Sequence, residues 1–131
     1  MGVLIDTDLL IDLERERPVP ASILGDEDCA ISVITVSELL HGVHRASGPT
    51  RARRGAFVEH LLGGLQAIPI SERVARVHAD IWSQLAARGE PVGAHDLWIA
   101  ATAIAHGLAL ATRNTADFAR VPGLRLVTSP A

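Results

Sequence analysis

The amino-acid sequence predicts an α/β fold in which helices cover both faces of a central parallel sheet of four to five strands. Short apolar runs alternate along the chain with longer segments in which apolar residues recur at helical spacing. Glycine and proline residues separate these segments, as they do where strands and helices end. No internal repeat and no linker interrupts the pattern, so we expect a single domain over residues 1–131.

The N-terminal half predicts two strands and three helices. Thr7 or Asp8 can cap the first helix, and the prolines of RERPVPAS break the chain after it. Pro49 suits the first turn of the third helix, which Gly63 and Gly64 are expected to end. The expected elements are a strand at 3–5, a helix that follows a cap at residue 7 or 8, a strand at 29–31, and helices at about 35–46 and 50–62.

The C-terminal half predicts two helices between three further strands. Ser71 caps a helix that Gly89 closes, and its apolar stripe includes Val74 and Ile81. A second helix is closed by Gly107. The expected elements are a strand at 65–70, helices at 72–88 and 94–106, a strand at 108–112, a turn or short helix at 113–118, and a last strand at 124–128.

Composition narrows the class of protein. All 12 basic residues are arginine, and the formal net charge of −3 argues by itself against a nucleic-acid partner. If four of the 15 acids are metal ligands, however, the remaining eleven acids and twelve arginines leave +1. One cysteine, Cys29, excludes an internal disulfide and fits a reducing compartment such as the cytoplasm. We expect no signal peptide and no membrane span.

Five polar residues are candidates for a site at one edge of the sheet. In parallel α/β sheets, ligands bind beyond the carboxyl ends of the strands. Asp6 follows the first strand, and Asn114 and Asp117 follow the fourth. Glu38 and Asp96 lie near the starts of helices that should begin at the same edge. Each acid alone has a structural explanation, such as a helix cap, and only the set indicates a site.

Carboxylates gathered at one edge need a cation. Two like charges about 4 Å apart repel by roughly 1 kcal/mol in water and about 4 kcal/mol at an effective dielectric constant of 20. A divalent cation removes that cost, and oxygen ligands suit Mg²⁺ or Mn²⁺ better than Zn²⁺. Such an ion activates water and stabilises charge on a phosphate oxygen. The pattern therefore predicts metal-dependent hydrolysis of a phosphodiester.

Four motif blocks, in order, resemble those of PIN-domain proteins, specifically VapC-type toxins of bacterial toxin–antitoxin pairs. The blocks are LIDTDLLIDL, ISVITVSELLHGV, HDLWIAATAIAHGLALATRNTADF and VPGLRLV. The resemblance covers essentially the whole chain, although residues 49–90 carry no motif. It implies a three-layer α/β/α domain and a Mg²⁺- or Mn²⁺-dependent endoribonuclease.

The resemblance also assigns roles to residues. By position, Asp6, Glu38 and Asp96 are the first three acids of the metal site. Relatives differ in the fourth, and we favour Asp117 as the acid with Asn114 as its hydrogen-bonding neighbour.

Further residues are expected around these acids. Thr7 and Thr112 would supply supporting hydroxyl groups, and Arg113 is a candidate for contact with the substrate. Asp8 stands where many relatives have Asn or Ser, which favours a helix cap or a place in the outer shell of the site.

The same resemblance implies a mechanism and partners. Metal-activated water would attack an RNA phosphate with no covalent enzyme intermediate. The substrate would be transfer RNA or ribosomal RNA. The protein would be a homodimer, and a VapB-type antitoxin would obstruct the acidic site.

Two other functional classes share part of this pattern. An apolar strand ending in Asp6-x-Asp8 is also the nucleophile motif of haloacid-dehalogenase-like phosphatases, and response-regulator receivers place acids at strand ends. Both normally need a lysine for the phosphoryl group, and this chain has none. A PIN-like module that binds RNA or a partner without cleaving is the third alternative.

The aromatic rings and histidines have structural explanations. Trp82 and Trp98 lie within helical apolar patterns, which favours core or dimer contacts over base stacking. His41 and His95 lie close in sequence to Glu38 and Asp96, and either could touch substrate, although a structural role is the commoner one.

Overall fold

The computed structural model describes residues 2–19 and 28–127. Within these ranges four short strands form one parallel sheet, in the order β3-β2-β1-β4. The strands are β1 (Val3–Ile5), β2 (Cys29–Ser32), β3 (Gln66–Ile68) and β4 (Ala109–Ala111). The helices are α1 (Thr7–Glu14), α2 (Val33–Arg45), α3 (Gly48–Gly64), α4 (Glu72–Arg88), α5 (Ala94–Ala105) and α6 (Thr115–Phe118).

Apolar side chains fill both faces of the sheet, because successive residues of a strand point to opposite sides. Leu4 and Leu110 belong to a core cluster with α4 and α5. Val3 and Ile5 belong to a second cluster with residues of α1, α2 and α3. The prediction of a parallel sheet between two helical layers is therefore confirmed.

The expected last strand is reduced to a single bridge. Leu126 pairs in parallel with Leu110, whose N–H donates to Arg125 O at 2.8 Å and whose carbonyl accepts from Val127 N at 2.8 Å. Gly123 turns the chain at a φ of +83° shortly before this contact. The prediction of a strand at 124–128 was wrong for the described part, because the segment meets β4 at one residue only, and Thr128 lies outside the described residues.

Helix ends differ from the predictions in informative ways. Asp6, rather than Thr7 or Asp8, is the N-cap residue of α1, so that prediction was wrong. The reason is that β1 ends at Ile5 and the helix starts directly after the next residue. Helix α2 begins two residues earlier than predicted, because the Ser32 hydroxyl accepts from Ile34 N–H at 3.0 Å.

Other ends match more closely. Pro49 lies in the first turn of α3 as expected, but Gly63 and Gly64 form the last turn instead of ending the helix before it. Helix α4 is capped by Ser71 and closed by Gly89 as predicted. In the RERPVPAS break, residues 15–19 are non-helical and Pro20 lies outside the described residues.

The carboxyl edge of the sheet joins the elements that carry the polar residues. Asp6 N–H donates to Ala111 O at 2.9 Å, which ties the end of β1 to the end of β4. Helix α1 follows β1 at this edge, and α2 follows β2 directly. None of the helices within the described ranges is both long and apolar enough to cross a membrane.

Candidate active site

Asp6 is a buried carboxylate with both oxygens engaged. Its Oδ1 accepts from Thr7 N–H at 2.9 Å and its Oδ2 accepts from the Thr112 hydroxyl at 2.7 Å, while only 5% of the residue is exposed. The pKa of Asp6 is raised to about 6, chiefly by burial and also by the charges of Asp8 and Asp96, while the two hydrogen bonds lower it. With this pKa the carboxyl group is mostly ionised at pH 7.

Asp8 ties α1 to the loop between β4 and α6. Its Oδ2 accepts from Arg113 N–H at 3.1 Å and lies 3.3 Å from the Thr112 hydroxyl. Its Oδ1 is buried and has no hydrogen-bond partner among the described residues. Asp8 is thus not the cap of α1, and a place in the outer shell of the site stays a prediction.

Glu38 reaches the site from the second turn of α2. Its Oε1 accepts from the Thr7 hydroxyl at 2.6 Å, and the Thr35 hydroxyl lies 3.1 Å from that of Thr7. Its Oε2 lies 3.4 Å from His95 Nδ1. The Thr7 hydroxyl therefore fixes Glu38 beside the start of α1.

Asp96 lies in the first turn of α5, and the charges of the other acids affect the pKa of its carboxyl group. Burial raises the pKa of its carboxyl group, and the charges of Glu38, Asp117 and Asp8 raise it further, while His95 opposes them. No described residue donates a hydrogen bond to this carboxylate.

Asn114 and Asp117 complete the edge. Asn114 Nδ2 donates to Asp117 Oδ2 at 3.1 Å, and Asp117 Oδ1 lies 3.7 Å from Arg120 Nη1. Asn114 N–H donates to the Thr112 hydroxyl oxygen at 3.0 Å. Hydrogen bonds therefore connect Thr112, Asn114 and Asp117 in one network after β4.

The structure brings the predicted acids together as a charge-coupled group. Asp6 is linked electrostatically to Asp8 and Asp96, and Asp96 to Glu38 and Asp117. Among the described residues, no group of three His, Cys, Asp or Glu side chains has the geometry of a preformed metal site.

The donor chemistry nevertheless fits Mg²⁺ or Mn²⁺. All the donors are oxygens, two of the acids have raised pKa values, and one buried carboxylate oxygen has no partner among the described residues. Mg²⁺ keeps several of its waters and is commonly bound through one or two carboxylates, so a preassembled cage is not required.

Arg113 points its side chain at an acid that the sequence did not suggest. Arg113 Nε lies 2.8 Å from Asp12 Oδ2, and Arg17 Nη1 lies 3.4 Å from Asp12 Oδ1. Asp12 is 2% exposed. One feature of the sequence could have indicated that Asp12 is buried. It lies four residues after Asp8 within a run of leucines, where a solvent-facing position would be unexpected.

The two tryptophans have different environments. The ring of Trp98 packs against the core and stacks on His78, with ring centroids 3.5 Å apart and planes at 12°. Trp82 is 60% exposed, so of the two predicted environments the core is excluded for this residue and a dimer contact stays a prediction. It lies on the outer face of α4, although its stripe neighbours Ile81 and Leu85 are buried.

Comparison with known proteins gives a consistent result. The family model of the PIN domain matches residues 3–124. Ribonuclease VapC4 of Mycobacterium tuberculosis is 38% identical over 125 residues, covering 95% of each chain. The tRNA(fMet)-specific endonuclease VapC of Salmonella typhimurium is 35% identical over 103 residues, covering 79% of this chain and 76% of that protein.

A solved structure supports the same assignment. VapBC-5 of Mycobacterium tuberculosis, described as a member of the VapBC family of toxin–antitoxin systems, superposes with a TM-score of 0.77. The identity is 32%, and the match covers 96% of this chain and 98% of that one. The chain therefore belongs to the PIN-domain family and, within it, to the VapC ribonucleases.

Proposed function

We propose that this chain is the toxin of a type II toxin–antitoxin pair and cleaves RNA at the carboxylate group formed by Asp6, Glu38, Asp96 and Asp117. The observation that carries the proposal is the charge coupling of Asp96 to each of the other three acids at the carboxyl edge of the sheet. Such a concentration of negative charge is costly without a cation, and it is characteristic of sites built for chemistry.

The cofactor we propose is Mg²⁺ or Mn²⁺. Asp6, Glu38, Asp96 and Asp117 would hold it, because their carboxylate oxygens are the hard donors these ions prefer. Bound there, the ion would supply an activated water as nucleophile and stabilise charge that develops on the phosphate.

The residues of the chain orient this chemistry. The Thr112 hydroxyl holds Asp6 by donating to its Oδ2, and the Thr7 hydroxyl holds Glu38 by donating to its Oε1. The contact from Thr112 also favours the ionised form of Asp6. With a metal-activated water as the nucleophile, no residue of the chain would form a covalent bond to the phosphate.

We propose transfer RNA or ribosomal RNA as the substrate. The proposal is supported by the name of the Salmonella typhimurium relative, a tRNA(fMet)-specific endonuclease. His95, whose Nδ1 lies 3.4 Å from Glu38 Oε2 and which is largely exposed, could contact the RNA beside the acids.

Two protein partners belong to the proposal. A VapB-type antitoxin is supported by the likeness to VapBC-5. A homodimer is supported by a positive mean hydropathy of +0.26 and by the exposed Trp82, which offers apolar surface on α4. Light scattering of the purified chain would test the homodimer.

The decisive experiment is the sequencing of RNA ends. We expect antitoxin-free protein to cut a small number of sites in total RNA when Mg²⁺ or Mn²⁺ is present and to stop when EDTA is added. Intact RNA in every arm would overturn the enzyme proposal and would favour a non-cleaving RNA- or partner-binding module. Metal-dependent release of phosphate from small phosphomonoesters, without RNA cleavage, would favour the phosphatase alternative.

A further inference from the structure

We propose that Asp12 is a positioning residue, which holds the loop between β4 and α6 in place through Arg113. The inference rests on the proposed ribonuclease function, since that loop carries Asn114 and Asp117. It assigns a role to Asp12, which lies outside the acids of the site, and it changes the role of Arg113 from substrate contact to loop anchor.

Asp12 is buried almost completely on α1, and a buried carboxylate needs a partner. Its Oδ2 lies 2.8 Å from Arg113 Nε, a close ion pair, and its Oδ1 accepts a hydrogen bond from Arg17 Nη1 at the longer distance of 3.4 Å. Only 3% of the Asp12 side chain is exposed. Loss of the close partner would leave a buried charge with the longer contact alone, which is strongly unfavourable.

Arg113 is held by α1 at two points. Its backbone N–H donates to Asp8 Oδ2 at 3.1 Å, and its side chain pairs with Asp12. Residues four apart lie on the same face of a helix, so Asp8 and Asp12 form one continuous strip of acceptors. The neighbouring Thr112 hydroxyl donates to Asp6 Oδ2 at 2.7 Å, which extends the strip to the first acid of the site.

The position of the fourth acid depends on this attachment. Asn114 follows Arg113 directly, its N–H donates to the Thr112 hydroxyl oxygen, and its Nδ2 donates to Asp117. A shift of the loop at residue 113 would therefore move Asp117 relative to Asp6. Displacements of about 1 Å at a site can cost about a hundredfold in rate.

A direct role for Arg113 in RNA binding makes opposite predictions. Its side chain is 55% exposed, so part of the guanidinium group faces solvent. If Arg113 bound phosphate, its loss would raise KM and weaken the salt dependence of binding. Neutralising Asp12 would then free Arg113 for RNA and would not reduce kcat.

The test compares Asp12→Asn, Arg113→Gln and the double variant with the matched control Arg17→Gln. Arg17 pairs with the same carboxylate but makes no described contact with the loop. We expect each single variant to lower kcat for RNA cleavage about tenfold with KM changed by less than about twofold. The double variant should match the single ones, because both break one contact, and Arg17→Gln should retain wild-type kcat.

Hydrogen exchange supplies a readout that needs neither metal nor activity. We expect the hydrogen-bonded amides of Arg113 and Asn114 to exchange at least about tenfold faster in Asp12→Asn and Arg113→Gln than in wild type and Arg17→Gln. The affinity for Mn²⁺, measured by calorimetry, should fall in the same two variants. Unchanged exchange and unchanged affinity would overturn the proposal, as would a raised KM in Arg113→Gln together with a normal Asp12→Asn.

Failure of this proposal is distinguishable from failure of the proposed function. Wild-type protein that never cleaves RNA would sink the ribonuclease proposal, while the exchange rates would still decide whether Asp12 anchors the loop. Should either single variant fail to fold, the double variant, which leaves no buried carboxylate without its close partner, carries the same comparison.

Discussion

The two sides of the acidic site are held in different ways. On the side of α1 and β4, Asp6 and Asp8 accept hydrogen bonds from two backbone N–H groups and from the Thr112 hydroxyl. On the side of α2 and α5, Glu38 accepts from the Thr7 hydroxyl, and no described residue donates to Asp96. The acids of the first side are held in part by backbone N–H groups at the sheet edge. The acids of the second side, on α2 and α5, have no such backbone contact among the described residues.

This difference indicates what a cation would change. The oxygens of Asp6 are placed before any ion arrives, because a helix cap and a neighbouring strand define them. Asp96 instead has a pKa raised by burial and by three other acids. We therefore expect metal binding to order the second side more than the first.

The largest expected effect on RNA cleavage comes from a substitution of Asp6, on the side of α1 and β4. Asp6→Asn should reduce RNA cleavage at least about a hundredfold, because it removes one of the carboxylates that we propose to hold the metal ion. The fold should survive, since Asn is as good an N-cap as Asp. RNA cleavage assays and thermal melts would measure both effects.

Asp8→Asn is the matched control for that experiment. It should leave substantial activity, because the amide oxygen of Asn can take the place of Asp8 Oδ2 and accept from Arg113 N–H. Equal loss from both substitutions would contradict the distinction between the two acids and revive the Asp-x-Asp phosphatase motif.

The fourth acid tests the loop that completes the site. Asp117→Ala should weaken Mn²⁺ binding about tenfold, and Asn114→Ala should weaken it less, because Asn114 acts through its hydrogen bond to Asp117. Titration calorimetry on the two variants gives the comparison. A loss confined to Asn114→Ala would show that the amide, not the acid, is the ligand.

A smaller effect should follow from loss of the Thr112 hydroxyl. Its hydrogen bond lowers the pKa of Asp6, so Thr112→Val should raise that pKa above about 6. The acidic limb of the pH–rate profile should move upward by about half a unit to one unit. Thr112→Ser keeps the hydroxyl and should leave the limb in place; identical profiles for Val and Ser would exclude this contribution.

The smallest effect is a pH dependence of stability. Because the folded-state pKa of Asp6, about 6, exceeds its usual value of 3.8, the folded protein binds more protons than the unfolded chain between these pH values. The stabilising contribution is full below pH 3.8 and is lost as pH rises through about 6. Melting temperatures of the metal-free protein should therefore fall over this range.

Added Mg²⁺ should reverse that loss. The ion should raise the melting temperature more at pH 7.5 than at pH 5, because it binds ionised carboxylates. Asp6→Asn serves as the control and should show a flatter pH dependence. An equal Mg²⁺ effect at both pH values would argue against cation binding at these acids.

The sequence predicted much of the fold, because its strands are short apolar runs and its helices have clear apolar stripes. It misplaced the start of α1 by one residue, since Asp6, Thr7 and Asp8 are all good cap residues and only the end of β1 selects among them. The last strand failed because pairing depends on where the chain returns after Gly123, which no local pattern encodes. Whether residues 1–131 form a single domain stays a prediction.

For the site, the resemblance supplied the acids but not their contacts. The hydrogen bond from Thr7 to Glu38 joins residues 31 positions apart in the sequence. The ion pair of Arg113 with Asp12 joins residues that are still farther apart in the sequence. Such contacts arise from tertiary packing, so residue spacing alone could not predict them. The roles of the individual acids in metal binding stay predictions for the experiments above.

The single bridge between Leu126 and Leu110 has a consequence for solubility. An uncovered edge strand offers its backbone groups to other chains and promotes aggregation. Here residues 125–127 satisfy both backbone groups of Leu110, so the outer edge of β4 is shielded without a full fifth strand. A chain shortened after Gly123 would expose that edge, and we expect it to aggregate during expression even with every acid of the site intact.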